Sequence, residues 1–176
     1  RAPSLKTMTS DYINFLNENN HSTTRFTDNT PVKQEHHAEI TDDTINQFID
    51  YLKQGLTIEH EQVRRWLGQY CSDNKAFDEL TYEMAHAQSE SSYQQLVEVA
   101  EQYSLRQSPY SHFLFSNSTE TSLLFVNGNS YQTSKVFAET LCEDEDLDFS
   151  KLQKIMTEED KNTLLTLFNN GAIITS

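Results

Sequence analysis

An α+β fold, mostly helical and divided into two modules, follows from three features of this 176-residue chain. Apolar residues recur at helical spacing through the first 74 residues, without strand-like alternation. Beyond residue 90, strand-like runs appear among helices, and Asn127-Gly128 joins two of them as a two-residue hairpin signal. A short apolar run, "AIIT", then follows the "NNG" that ends the last helical stripe.

Taken in order, Leu5, Met8, Tyr12, Phe15 and Leu16 fall on one face of a helix over residues 4–17. The polar stretch 18–40 has little periodicity and reads as a long exposed connection, of a length uncommon inside compact domains. Ile45, Phe48, Ile49 and Leu52 then lie at i, i+3, i+4 and i+7, after Thr41 as N-cap and before Gly55 as the stop. Val63, Trp66, Leu67 and Tyr70 repeat that spacing. The short interval between the stripes predicts a helical hairpin whose apolar faces meet. Three short helices make a thin core. These eight residues are therefore candidates either for a contact between two copies, making a homodimer, or for core within one chain. Periodicity leaves both open.

Residues 75–90 read as a linker between a helical module over 1–74 and a second module over 91–176. In the latter, Tyr93, Leu96, Val97 and Ala100 mark a helix ending near Tyr103, and "SHFLFS" and "SLLFVNGNSYQTS" alternate like strands. Val136, Phe137 and Leu141 begin the next helix, followed by Phe149, Leu152, Ile155 and Met156. A last helix runs from about Glu158 to Asn169 on Leu164, Leu165, Leu167 and Phe168, and "AIIT" is a return strand. This order of helix, hairpin, helices and closing strand describes a winged-helix-like domain.

Charge and composition exclude several function classes. The formal net charge is −14, and cutting at residue 90 leaves 8 basic and 15 acidic residues before the cut, 5 and 12 after it. Each half thus carries −7, which argues against general affinity for nucleic-acid phosphates. No apolar run is long enough to cross a bilayer. Cys71 and Cys142 are far apart and lack CxxC spacing, as expected of free thiols in a cytoplasmic protein.

The candidate chemistry is thin. His37-Ala38-Glu39 is an H-x-E triplet that, with His60, His86 or His112, would complete an iron-binding facial triad. That triad needs a rigid strand end, and the triplet lies in a polar stretch, so a solvated loop is the expectation. The acidic run from Cys142 to Phe149 lacks the glycine and ligand alternation of a calcium loop; carboxylates ahead of a helix favour its N-terminus. Trp66 and Tyr70 beside Arg64-Arg65 could stack on bases, but such spacing more often serves core or interface. Only four glycines occur, with no phosphate-binding loop, and no serine is singled out as a nucleophile. No catalytic, cofactor-binding or metal-binding residue is assigned.

The chain's motifs nevertheless resemble those of one family. "RAPS" leading into an amphipathic helix resembles the segment that leaves the catalytic barrel in JmjC-type cupin ribosomal oxygenases. "QVRRWLGQYCSD" is similar to their helical dimerisation domain, where a W-[LF]-G element closes a helix. "SLLFVNGNSYQTSKVFAETLC" and "LLTLFNNGAIIT" resemble their C-terminal winged helix, with its NG hairpin and closing turn. The resemblance covers essentially the whole chain and implies the carboxyl-side part of such an enzyme. A barrel using Fe(II) and 2-oxoglutarate would precede Arg1, with every iron and 2-oxoglutarate ligand on it. It implies a cytoplasmic protein hydroxylase acting on a ribosomal-protein side chain, arginine in the bacterial pattern. This piece would then be inactive alone, supplying dimerisation and docking for a basic ribosomal protein.

Two other readings follow from the same pattern. An acidic winged-helix transcription regulator would need a basic recognition helix; Lys151, Lys154 and Lys161 are its best candidates, flanked by "EDEDLD" and "EED". A protein–protein adaptor would need no enzymatic parent.

Overall fold

The computed structural model describes residues 3–19, 42–56, 58–73, 91–118 and 121–175. Two compact units divide the chain between Val63 and Arg64.

The first unit holds α1 (Leu5–Asn19), α2 (Asp42–Gly55) and the start of α3 (His60–Ser72). Ser4 opens α1, its Oγ accepting from the Thr7 N–H at 3.1 Å, which satisfies one of the orphan donors of the first turn. Leu16 is buried while Leu5, at the other end of the same stripe, is 82% exposed. In α2, Asp42 and Asp43 sit in the first turn and Lys53 in the last, each sign where the helix dipole favours it. Gly55 ends α2 as expected, whereas Thr41 lies outside the described residues.

The second unit holds the remainder of α3, then α4 (Tyr93–Gln102), β1 (Leu105–Gln107), β2 (Phe113–Asn117), β3 (Ser122–Val126) and β4 (Asn129–Thr133). After these come α5 (Lys135–Glu143), β5 (Asp146–Leu147), α6 (Phe149–Ile155), α7 (Glu158–Asn169) and β6 (Ile173–Thr175). The strands form two antiparallel sheets, ordered β5-β1-β6 and β2-β3-β4. The fold is α+β and mostly helical, as the sequence predicts. Strands β1 and β5 were not expected. At three and two residues they are too short for alternation to register, and pairing of Leu105 with Leu147 and Thr175 defines them instead.

Leu96, Leu105, Leu124, Phe137, Leu141, Leu152, Leu164, Leu167 and Ile173 make a continuous core, each at most 1% exposed. Val136, read as part of the same stripe, points outward. Helices are tied into this core by their caps. Ser92 and Gln95 form a capping box on α4, and Thr157 and Asp160 form another on α7. The Asp160 carboxylate, fully buried, also accepts from the Ser134 N–H at 2.9 Å and the Ser134 hydroxyl at 2.7 Å. It thereby joins the starts of α5 and α7. At the other end of α7, the Ala172 N–H returns to the Leu167 carbonyl and the Gly171 N–H to Phe168, a Schellman motif that turns the chain into β6.

Every residue of β3 is buried. Leu124 and Val126 face the main core, and alternation sends Leu123 and Phe125 to the opposite face. There Phe125 meets Gly68 of α3 so closely that a Cβ on Gly68 would lie 2.3 Å from the Phe125 ring. The glycine of the W-L-G element is therefore required by packing. Between β3 and β4, Asn127 (φ 48°) and Gly128 (φ 80°) both adopt positive φ. That is the two-residue turn which Asn-Gly favours.

Candidate functional site

Helix α2 carries the most conspicuous surface of the first unit. Ile45, Phe48, Ile49 and Leu52 are 44%, 47%, 42% and 44% exposed, and no α2 residue is buried. Helical geometry places all four on one face, as their spacing requires. Val63 is half-buried as the last residue of this unit. The other three predicted interface residues belong to the second unit, where Leu67 is exposed and Trp66 and Tyr70 are half-buried. Trp66 and Tyr70 are brought together, their ring centroids 5.5 Å apart at 38°.

The C-terminal half of α3 is fastened to the hairpin. The Arg65 guanidinium donates to the Ser130 hydroxyl at 3.2 Å, and the Gly128 N–H donates to the Ser72 hydroxyl at 3.1 Å. Ser72, fully buried, in turn donates to the Gln69 carbonyl. Sequence reasoning gave Ser72 no role. A serine at the end of a helix carries no signal until the turn it reaches is in place.

Acidic side chains dominate the surface around β5. Glu143, Asp144, Glu145 and Asp146 are exposed, while Leu147 and Phe149 turn inward. Asp148 caps α6 by accepting from the Lys151 N–H at 3.0 Å. A recess of about 300 Å³ opens between the end of α4 and the start of α6, with Glu101, Tyr103, Asp148 and Phe149 on its wall. Lys151 and Lys154 are exposed on α6, and Lys161 pairs with Glu158 on α7. Burial first, and the adjacent Glu143 second, push the Cys142 thiol up to about 12, so it stays protonated and unreactive at neutral pH. Cys71 is exposed.

His37, Glu39 and His86 lie outside the described residues; His60 opens α3 and His112 precedes β2, both exposed. Among the described residues no three His, Cys, Asp or Glu side chains gather as metal ligands. These described residues offer no donor set for iron. No described helix is long and apolar enough to cross a membrane.

No curated protein matches the sequence. Among solved structures, all of this chain superposes on E. coli YcfD with a TM-score of 0.73 at 14% identity, covering 46% of that chain. A second structure, described as the Escherichia coli ribosomal oxygenase YcfD, gives 0.70 at 13% identity and 47% coverage. A third, of YcfD with cobalt and 2-oxoglutarate, gives 0.71 at 13% and 47%. The chain thus spans about half the length of these proteins and shares the fold of that half. The pattern of the ROXA-like winged helix matches residues 50–173, well over half of the sequence, and the chain belongs to that family.

Proposed function

We propose that this chain is the non-catalytic, carboxyl-side scaffold of a JmjC-type cupin oxygenase that uses Fe(II) and 2-oxoglutarate to hydroxylate a ribosomal-protein side chain, arginine in the bacterial pattern. The observation that carries this reading is the superposition of the whole chain on about half of a ribosomal oxygenase, together with its family membership. Iron and 2-oxoglutarate would be held by the other half, and the scaffold's work is to position.

Two physical features support that role. The α2 face exposes four large apolar side chains in a row, and covering it with a second copy would remove them from water. At −14 the chain also complements a strongly basic partner such as a ribosomal protein. Complementary charge speeds encounter and loses its effect in salt.

The test is to express the gene's longer product and this chain side by side, with ribosomal proteins, Fe(II) and 2-oxoglutarate. The longer product is expected to add one oxygen to a ribosomal-protein side chain, and this chain alone to add none. A longer product that lacks an H-x-D…H set and turns over no 2-oxoglutarate would overturn the proposal. Binding of the basic partner to this chain should weaken steeply with salt; indifference to salt would remove the docking role.

A further inference from the structure

The sequence contains two Asn-Gly pairs, Asn127-Gly128 and Asn170-Gly171. In such a pair the unhindered glycine nitrogen can attack the asparagine side-chain carbonyl. A five-membered succinimide forms and ammonia leaves; water then opens the ring at either carbonyl to give aspartate or isoaspartate. The net change is amide plus water to acid plus ammonia, without an oxidant or reductant. Both groups must be free to meet: the glycine N–H must lose its proton, and the side-chain amide must rotate onto that nitrogen.

The two pairs stand in different surroundings. Asn127 is held on both side-chain atoms: its Oδ1 accepts from the His112 N–H at 3.1 Å, and its Nδ2 donates to the Ser111 hydroxyl at 2.9 Å. The Gly128 N–H is occupied by the buried Ser72 hydroxyl. Asn170, in contrast, is exposed at the C-terminal end of α7. The Gly171 N–H does bond the Phe168 carbonyl at 3.0 Å, so both nucleophiles are covered. The difference lies in the electrophile: the Asn170 side chain is exposed, whereas that of Asn127 is held at both of its polar atoms.

We propose that Asn170-Gly171 is a site of spontaneous deamidation in the folded protein, and that Asn127-Gly128 is a second, latent one locked by Ser72, Ser111 and the His112 backbone. The consequence at residue 170 is directional. A new negative charge at the end of α7 meets the negative end of the helix dipole. An isoaspartyl linkage lengthens the backbone within the Schellman turn that delivers Ile173 to β6. Ageing of the second unit would thus begin at its closing strand. At residue 127 the same chemistry would follow any separation of α3 from the hairpin.

The test is peptide mapping by mass spectrometry after incubation at mildly alkaline pH, natively and in urea. In urea the two sites are expected to convert at similar rates, since glycine follows both. Natively, Asn170 is expected to convert roughly tenfold or more faster than Asn127, the span of its two side-chain hydrogen bonds. Ser72→Ala should raise native conversion at Asn127 by roughly fivefold, leaving Asn170 unchanged. Native rates at the two sites that are equal, or faster at Asn127, would overturn the proposal. So would a native Asn170 as inert as Asn127. Should Ser72→Ala fold poorly, the native-to-urea ratio in the unaltered protein decides the question by itself.

Discussion

Helix α2 spans 14 residues and buries none of them, whereas α7 spans 12 and buries four: Asp160, Thr163, Leu164 and Leu167. Both are amphipathic, and α2 has the more regular apolar stripe. What separates them is supply of partners. Helix α7 packs against α4, β4 and β6, so Leu164 and Leu167 leave water, while the α2 stripe remains accessible on its own unit. A helical stripe specifies that a face seeks cover. Whether the cover comes from the same unit or from another molecule is a property of the neighbours.

The largest effect that would test this contrast is a cavity in the closed unit. Phe137→Ala should lower stability by about 3–5 kcal/mol, read as a fall in the chemical-denaturation midpoint. A shift under a third of that would mean the core is less continuous than its burial indicates. Next, Asp160→Ala strips acceptors from Ser134 and Thr157 in a buried site, and is expected to cost about 2–4 kcal/mol by the same measurement. Gly68→Ala should cost about 1–3 kcal/mol through overpacking against Phe125; a neutral result would show that α3 is not seated on the hairpin.

Smaller in stability but sharper for the comparison is Phe48→Asp. It should move the melting of the second unit by no more than about 0.5 kcal/mol, yet halve the mass seen by light scattering if α2 joins two copies. An unchanged mass would assign the stripe to cover from within one chain. Least of all, a thiol reagent at pH 8 should label Cys71 and spare Cys142. Because the folded Cys142 thiol is raised to about 12 from an ordinary 9.0, its contribution to stability is intact below pH 9. It is lost as pH climbs towards 12, where the unfolded chain releases that proton first.

Much of the fold was legible from local pattern. The Asn127-Gly128 turn appeared where the two residues demand it, and the stripes marked α1, α2, α3, α4 and α7 to within a few residues. Strands β1 and β5 were illegible for a physical reason: five residues in all, defined by what they pair with rather than by their own alternation. The candidate site divides in the same way. That the α2 residues share one face follows from spacing, but their exposure does not, and nothing in the sequence indicates that Ser72 reaches Gly128 across 56 positions. Nor does it indicate that Asp160, in the acidic start of a helix, also binds Ser134.

By itself, then, the sequence determined the charge, the helical and hairpin elements, and the motifs that relate it to a winged-helix family, because these depend on residues at most a few positions apart. Tertiary structure alone decided which apolar faces are buried, why Gly68 must be glycine, and which asparagine is locked. Each of those depends on a neighbour brought from far along the chain, and burial or a long-range hydrogen bond exists only once that neighbour has arrived.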